Sequence, residues 1–168
     1  KRRWTVRLRS ILISLTYSLR CSNSSEFSEA VMNNPLPPEL LRVVDANLNR
    51  LKEGIRVIED IARYVHNDKE LSTSLKNLRH QCRIEPLEEL LASRDSVNDV
   101  LRPTMKSEMN RTDLRSILIA NYKRGQESSR VLEELYKIVE PALSERFKNI
   151  RYELYTLEKK NLLSDLNA

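Results

Sequence analysis

Residues 46–59 read ANLNRLKEGIRVIE, and residues 120–133 read ANYKRGQESSRVLE. One helix is written twice, 74 positions apart, with the shared letters A-N-x-x-R-x-x-E-x-x-R-V-x-E. Five of the seven shared letters are polar: Asn47/Asn121, Arg50/Arg124, Glu53/Glu127, Arg56/Arg130 and Glu59/Glu133. Packing requires only that apolar positions stay apolar, so polar identities kept across a repeat suggest duplicated chemistry. A shorter echo follows each copy, KNLR at 76–79 and KNIR at 148–151. The duplicated unit is therefore a pair of helices.

Working outward, Val44, Leu48, Leu51, Ile55, Ile58, Ala62 and Val65 recur at spacings of three and four, the apolar stripe of one long helix. Pro38 suits its first turn. Asp68 can cap a second helix carrying Leu71, Leu75, Leu78 and Cys82, and Pro86 kinks or restarts it before Leu87, Leu90 and Leu91. Residues 94–111 lose periodicity, and an unstructured connection this long inside a compact domain is often functional. Thr112 or Asp113 starts the second long helix, expected to run to about Val139. Pro141 opens the last, with Leu143, Phe147, Ile150, Leu154 and Leu157 inward. The expected fold is all-α: an antiparallel four-helix bundle made of two duplicated helical hairpins joined by the long loop.

Leu, Glu, Arg, Lys and Ile dominate the 168 residues, and both glycines, Gly54 and Gly125, lie inside the repeat. The net charge of +5 is unevenly spread. Lys1, Arg2, Arg3, Arg7, Arg9 and Arg20 all precede the first acid, Glu26; without them 23 basic residues face 24 acidic ones. The helical part is nearly neutral, so no nucleic-acid partner is expected. Residues 1–36, basic and then Ser-rich, read as a targeting peptide or a disordered extension. The helical domain is expected over 37–163, with a short tail at 164–168. Cys21 and Cys82 form no disulfide framework, and a reducing cytoplasm is the simplest compartment. No run reaches the roughly 18 apolar residues of a membrane span. There is no phosphate-cradling glycine loop and no GxSxG. His66 and His80 lack the cluster that zinc needs.

On a helix, Asn47 lies beside the apolar stripe, Arg50 at its edge, and Glu53 and Arg56 further round. The second copy repeats this layout, but Gly125 replaces Leu51 and Ser129 replaces Ile55. These smaller, more polar residues are expected to line a cavity, which would make the second copy the ligand-binding one. The alternative is a solvated face of i,i+3 pairs, each contributing roughly 0.2–0.5 kcal/mol. The duplicated Asn argues against it, because Asn helices poorly and must find partners.

Together RVVDANLNRLKEGIRVIEDIARY (42–64), SRDSVND (93–99), ANYKRGQESSRVLEELYK (120–137) and NIRYELYTLE (149–158) resemble one family. It is the all-helical, atypical hydroxymethylpyrimidine phosphate kinase of thiamin biosynthesis, found alone or fused to thiamine phosphate synthase. The chain departs from it at Leu101, where the family has Gly after Asp-Val, and at Ser128-Ser129. The resemblance implies transfer of the γ-phosphoryl group of ATP to 4-amino-5-hydroxymethyl-2-methylpyrimidine phosphate, with Mg²⁺ as cofactor. Matched by motif position, it implies phosphate contacts at Arg56, Arg94, Arg124 and Arg130. Substrate contacts follow at Asn47, Arg50, Asn121, Ser129 and Lys137, and a Mg²⁺ shell from Glu53, Asp95 and Glu127. Arg79 and Arg151, from the KNxR echo, suit either phosphate or a structural glutamate. ATP, the pyrimidine monophosphate, thiamine phosphate synthase and a second copy are the partners it suggests. A non-catalytic module that binds or regulates thiamine phosphate synthase, or mediates dimerisation, is the alternative.

Overall fold

The structure, a computed structural model, describes residues 36–85, 87–100 and 111–164. Expectations for residues 1–35, Pro86, Leu101 and 165–168 lie outside the described residues. Those described form five helices and no strand: α1 (Pro38–Tyr64), α2 (Lys69–Gln81), α3 (Leu87–Ser93), α4 (Leu114–Tyr136) and α5 (Pro141–Ser164). The apolar stretch after Pro86 is thus a short helix of its own, and it packs on α1. The four-helix count needs this correction. It also explains why Leu91 (47% exposed) is not core while Leu90 is: seven residues bury a single turn's worth of face.

Pro38 sits in the first turn of α1, where its missing N–H leaves nothing unbonded. Past Tyr64 the chain reverses through Asn67, whose φ of 52° is left-handed and is tolerated by Asn. Asp68 then caps α2, its carboxylate accepting from the Leu71 amide at 2.9 Å. At α4 the cap is Asp113, in a reciprocal box with Ser116. α4 ends at Tyr136, three residues before the expected Val139.

Helices α1 and α4 pack on each other, α2 on α1, and α5 on α4. The core between them comprises Val44, Leu48, Leu51, Ile55 and Ile58 of α1 with Leu118, Tyr122 and Leu132 of α4. Leu71, Leu75 and Leu78 close it from α2; Phe147, Ile150, Leu154 and Leu157 do so from α5. Each such side chain contributes about 1.5–3 kcal/mol on burial. Leu36, just before α1, is buried in this core too. Val65, assigned to the stripe, is 57% exposed because α1 ends just before it.

Gly54 sets the crossing of the long helices. A Cβ there would lie 3.0 Å from the Asn121 carbonyl oxygen and 3.5 Å from the Gly125 nitrogen, both backbone atoms of α4.

Three buried protons make the fold sensitive to base. Burial pushes the Cys82 thiol from 9.0 to about 12, and Tyr122 and Tyr136 from 10.0 to about 12. Each stays neutral in the fold and ionises sooner when unfolded. Their contribution is therefore complete below about pH 9 and is lost as pH rises to about 12. The urea midpoint is expected to fall steadily from pH 9 to pH 11; equal midpoints at both would contradict this burial.

Candidate functional site

The repeat's shared polar letters separate into three groups in space. Asn47 and Asn121 each donate Nδ2 to the carbonyl four residues back, Val43 at 2.9 Å and Ile117 at 2.8 Å. Glu59 and Glu133 are buried acceptors in matching ion-pair networks. Arg79 Nε reaches Glu59 at 2.8 Å, and Arg151 Nη2 reaches Glu133 at 2.8 Å. Arg56 and Arg130 join the same glutamates from the outside. Arg79 and Arg151 are thus the glutamates' structural partners, and the hydrogen bond to Glu59 raises the Arg79 pKa. The third group, Arg50, Glu53, Arg124 and Glu127, is exposed, and no bond among the described residues occupies it.

A cleft of about 790 Å³ opens between α1 and residues 94–100. Its α1 wall presents Arg42, Asp45, Asn47, Asn49, Arg50 and Glu53, and its loop wall presents Arg94, Asp95, Ser96, Asn98 and Asp99. Asp45, 5% exposed, anchors the loop. Arg94 donates Nε to its Oδ2 at 2.8 Å and Nη2 to its Oδ1 at 2.7 Å. This fork raises the Arg94 pKa further. Arg42 Nη2 holds the Asp95 carbonyl at 2.9 Å. Asp95 folds the loop on itself, accepting from the Val97 and Asn98 amides at 3.2 and 3.0 Å and from Asn98 Nδ2 at 2.9 Å. The Asn98 side chain, then its amide, draws the Asp95 carboxyl below its ordinary value.

Of the sequence-derived candidates, the cleft brings together Asn47, Arg50, Glu53, Arg94 and Asp95. The others do not line it. Arg56 and Arg130 are tied to Glu59 and Glu133, and Lys137 to Glu134 at 2.8 Å. Asn121, Arg124 and Glu127 are on α4, outside the cleft lining. Among the described residues, Gly125 and Ser129 of the second copy line none of the cavities found. The missing side chain of Gly125 is replaced by Leu154, whose Cδ1 lies 3.1 Å from a Cβ built there. Ser129 is fully buried and donates to the Gly125 carbonyl at 2.8 Å. The space beside Gly125 is taken by a neighbouring leucine, and the cleft lies beside the first copy.

Glu53 and Asp95 of the expected Mg²⁺ shell share the cleft, and Glu127 is not in its lining. Among the described residues no three His, Cys, Asp or Glu side chains converge to hold a metal. The donor set nonetheless fits a Mg²⁺ brought in on phosphates, which needs one or two carboxylates and keeps its waters. Glu53, with no bond among the described residues, is better suited than Asp95, whose oxygens already serve the loop.

Sequence reasoning missed Asp45, Asn49, Arg42 and Asp99. Asp45 lies just outside the repeated stretch, and its counterpart is Ile119.

The ThiD2 family model matches residues 42–160, most of the chain and every element of the cleft except Glu39. The chain belongs to the ThiD2 family. It is 40% identical over 136 residues to the thiamine-phosphate synthase of Synechocystis sp., covering 80% of this chain and 40% of that protein. Similar relatives with the same name occur in Nostoc punctiforme (39% over 118 residues, 70% of this chain and 34% of that protein) and Rhodopirellula baltica (35% over 144 residues, 82% and 38%). This family member spans about two fifths of the length of the curated relatives it matches. No solved structure matches it. The matches tie the chain to a family of thiamin biosynthesis. No helix among the described residues is long and apolar enough to cross a membrane.

Proposed function

We propose that this chain transfers the γ-phosphoryl group of ATP to the phosphate of 4-amino-5-hydroxymethyl-2-methylpyrimidine phosphate, giving the diphosphate. The frame is read as two duplicated hairpins, α1–α2 and α4–α5, with α3 added between them. The observation that carries the reading is the cleft. It gathers the guanidiniums of Arg42, Arg50 and Arg94 beside Glu53, Asp95 and Asp99, with Asn47 and Asn49 along one wall. Two anionic substrates repel each other, and fixed guanidinium forks offset that repulsion. Mg²⁺ bound to the nucleotide would neutralise its phosphates, with Glu53 holding its waters. The acceptor oxygen belongs to a phosphate already ionised near neutrality, so no strong base is required. The protein's contribution is positioning and electrostatic stabilisation. In this reading Arg50 and Arg94 contact phosphates, and Asn47 orients the pyrimidine or the neighbouring guanidinium.

A second reading has an observation of its own. The relatives are named for thiamine-phosphate synthase and are more than twice as long, which favours a module that serves such a synthase. The names stand closer to this reading than to the kinase. One experiment separates them. Purified protein with Mg-ATP and the pyrimidine monophosphate is expected to form ADP and the diphosphate in equal amounts. No turnover, with a measurable gain in the activity of added thiamine-phosphate synthase, would support the module instead.

A further inference from the structure

We propose that Asp45 is a positioning residue, which turns the free end of the Arg94 guanidinium toward a phosphate group in the cleft. The inference rests on the phosphate-handling reading above and adds to it the residue that aims the guanidinium. Arginine has five N–H donors in one plane. Asp45 takes two of them, on Nε and Nη2, through a bidentate contact at 2.8 and 2.7 Å. The remaining three, on the Nη1 and Nη2 end, make no bond among the described residues. A planar group held along one edge has its opposite end fixed in direction, which suits a bidentate phosphate contact.

Asp45 does not serve the helix frame. In the duplicate copy its position holds Ile119, 37% exposed, and α4 forms equally well. The acid stands where the 94–100 segment passes. It is 5% exposed although it is charged, and Asn49 Nδ2 also donates to Oδ1 at 3.3 Å. Arg94, by contrast, keeps 43% of its side chain exposed and lines the cleft. The buried partner orients and the exposed partner is available to a ligand.

The test uses the full chain and two readouts. Metal-free tripolyphosphate is titrated calorimetrically into wild type, Asp45→Asn, Arg94→Ala and the double variant, and KM and kcat for Mg-ATP are measured alongside. Asp45→Asn is expected to weaken tripolyphosphate at least about 10-fold, close to Arg94→Ala, with no further loss in the double variant. Arg94→Lys, which keeps the charge without the fork, is expected to lose as much. Should Asp45→Asn melt below the assay temperature, Asp45→Glu carries the same test, because a longer stem displaces the guanidinium in a folded protein. Wild-type affinity in the Asp45 variant beside a loss in Arg94→Ala would overturn the positioning role, as would no binding to wild type. Tripolyphosphate binding that depends on Asp45, without turnover of the pyrimidine phosphate, would leave this inference standing and remove the kinase reading.

Discussion

Gly54→Val is expected to destabilise the protein by at least about 3 kcal/mol, read as a lower urea midpoint. The added Cβ would lie 3.0 Å from the carbonyl oxygen of Asn121, and the γ-methyls would bring more atoms into the same space. Neither that oxygen nor the Gly125 nitrogen at 3.5 Å can rotate away, because both belong to the backbone of α4. The long helices would have to part, and the core between them would lose its fit. Gly125 is the informative control. A Cβ there meets Leu154 Cδ1 at 3.1 Å and Leu51 Cδ1 at 3.7 Å, the ends of side chains that can shift. Replacing a helical Gly by Ala gains up to about 1 kcal/mol of helix propensity. Gly125→Ala is therefore expected within about 1 kcal/mol of wild type, and Gly54→Ala below it. Equal midpoints for Gly54→Val and wild type would mean that α1 and α4 do not cross at this residue.

Glu133→Ala is expected to destabilise by about 3–5 kcal/mol, because it removes one member of a buried charge pair and leaves the other. Glu133 receives Arg151 Nε at 3.0 Å and Nη2 at 2.8 Å, and Arg130 Nη1 at 2.7 Å. The Arg151 side chain is only 13% exposed, so water cannot replace the lost carboxylate. Its counterpart Arg79 is 24% exposed, and Glu59→Ala should cost less for that reason. Denaturant melts of the two variants check the order. A larger loss in Glu59→Ala would show that exposure of the stranded arginine does not set the penalty.

These two networks show what the sequence made legible and what it hid. The period of three and four located both long helices, and local chemistry located the Asp68 cap and narrowed the next to Thr112 or Asp113, because each is decided within a few neighbouring residues. Glu59 and Glu133 were visible as duplicated letters, yet the same letters fitted a ligand or a structural arginine. Only packing of α2 on α1 and of α5 on α4 joins them to Arg79 and Arg151. Gly125 and Ser129 misled for a related reason. A small residue leaves a gap in its own helix, but Leu154, 29 positions beyond Gly125, decides whether the gap stays open. Val65 and Leu91 matched the apolar period but fall where a helix ends or is too short to bury them. Asp45 went unnoticed because it breaks the repeat. Its partner Arg94 is 49 residues away, and nothing local announces the pair.

The two copies of the repeat differ in what lies beside them. Duplication supplied two copies of the ion-pair network, and both are used in the same way. Among the described residues, the loop that meets Asp45 lies beside the first copy, and there Arg50 and Glu53 become walls of a cleft.

The most direct measurement of that claim is steady-state turnover of Mg-ATP and the pyrimidine monophosphate by Arg50→Ala and Glu53→Gln, with helicity recorded on the same samples. Neither side chain holds the fold together, so helicity should be unchanged. Loss of the Arg50 charge on the reacting phosphates, or of the Glu53 carboxylate that would hold the waters of the Mg²⁺, is expected to lower kcat/KM about 100-fold in each. Wild-type turnover in both variants would contradict the assignment of phosphoryl transfer to the first-copy cleft.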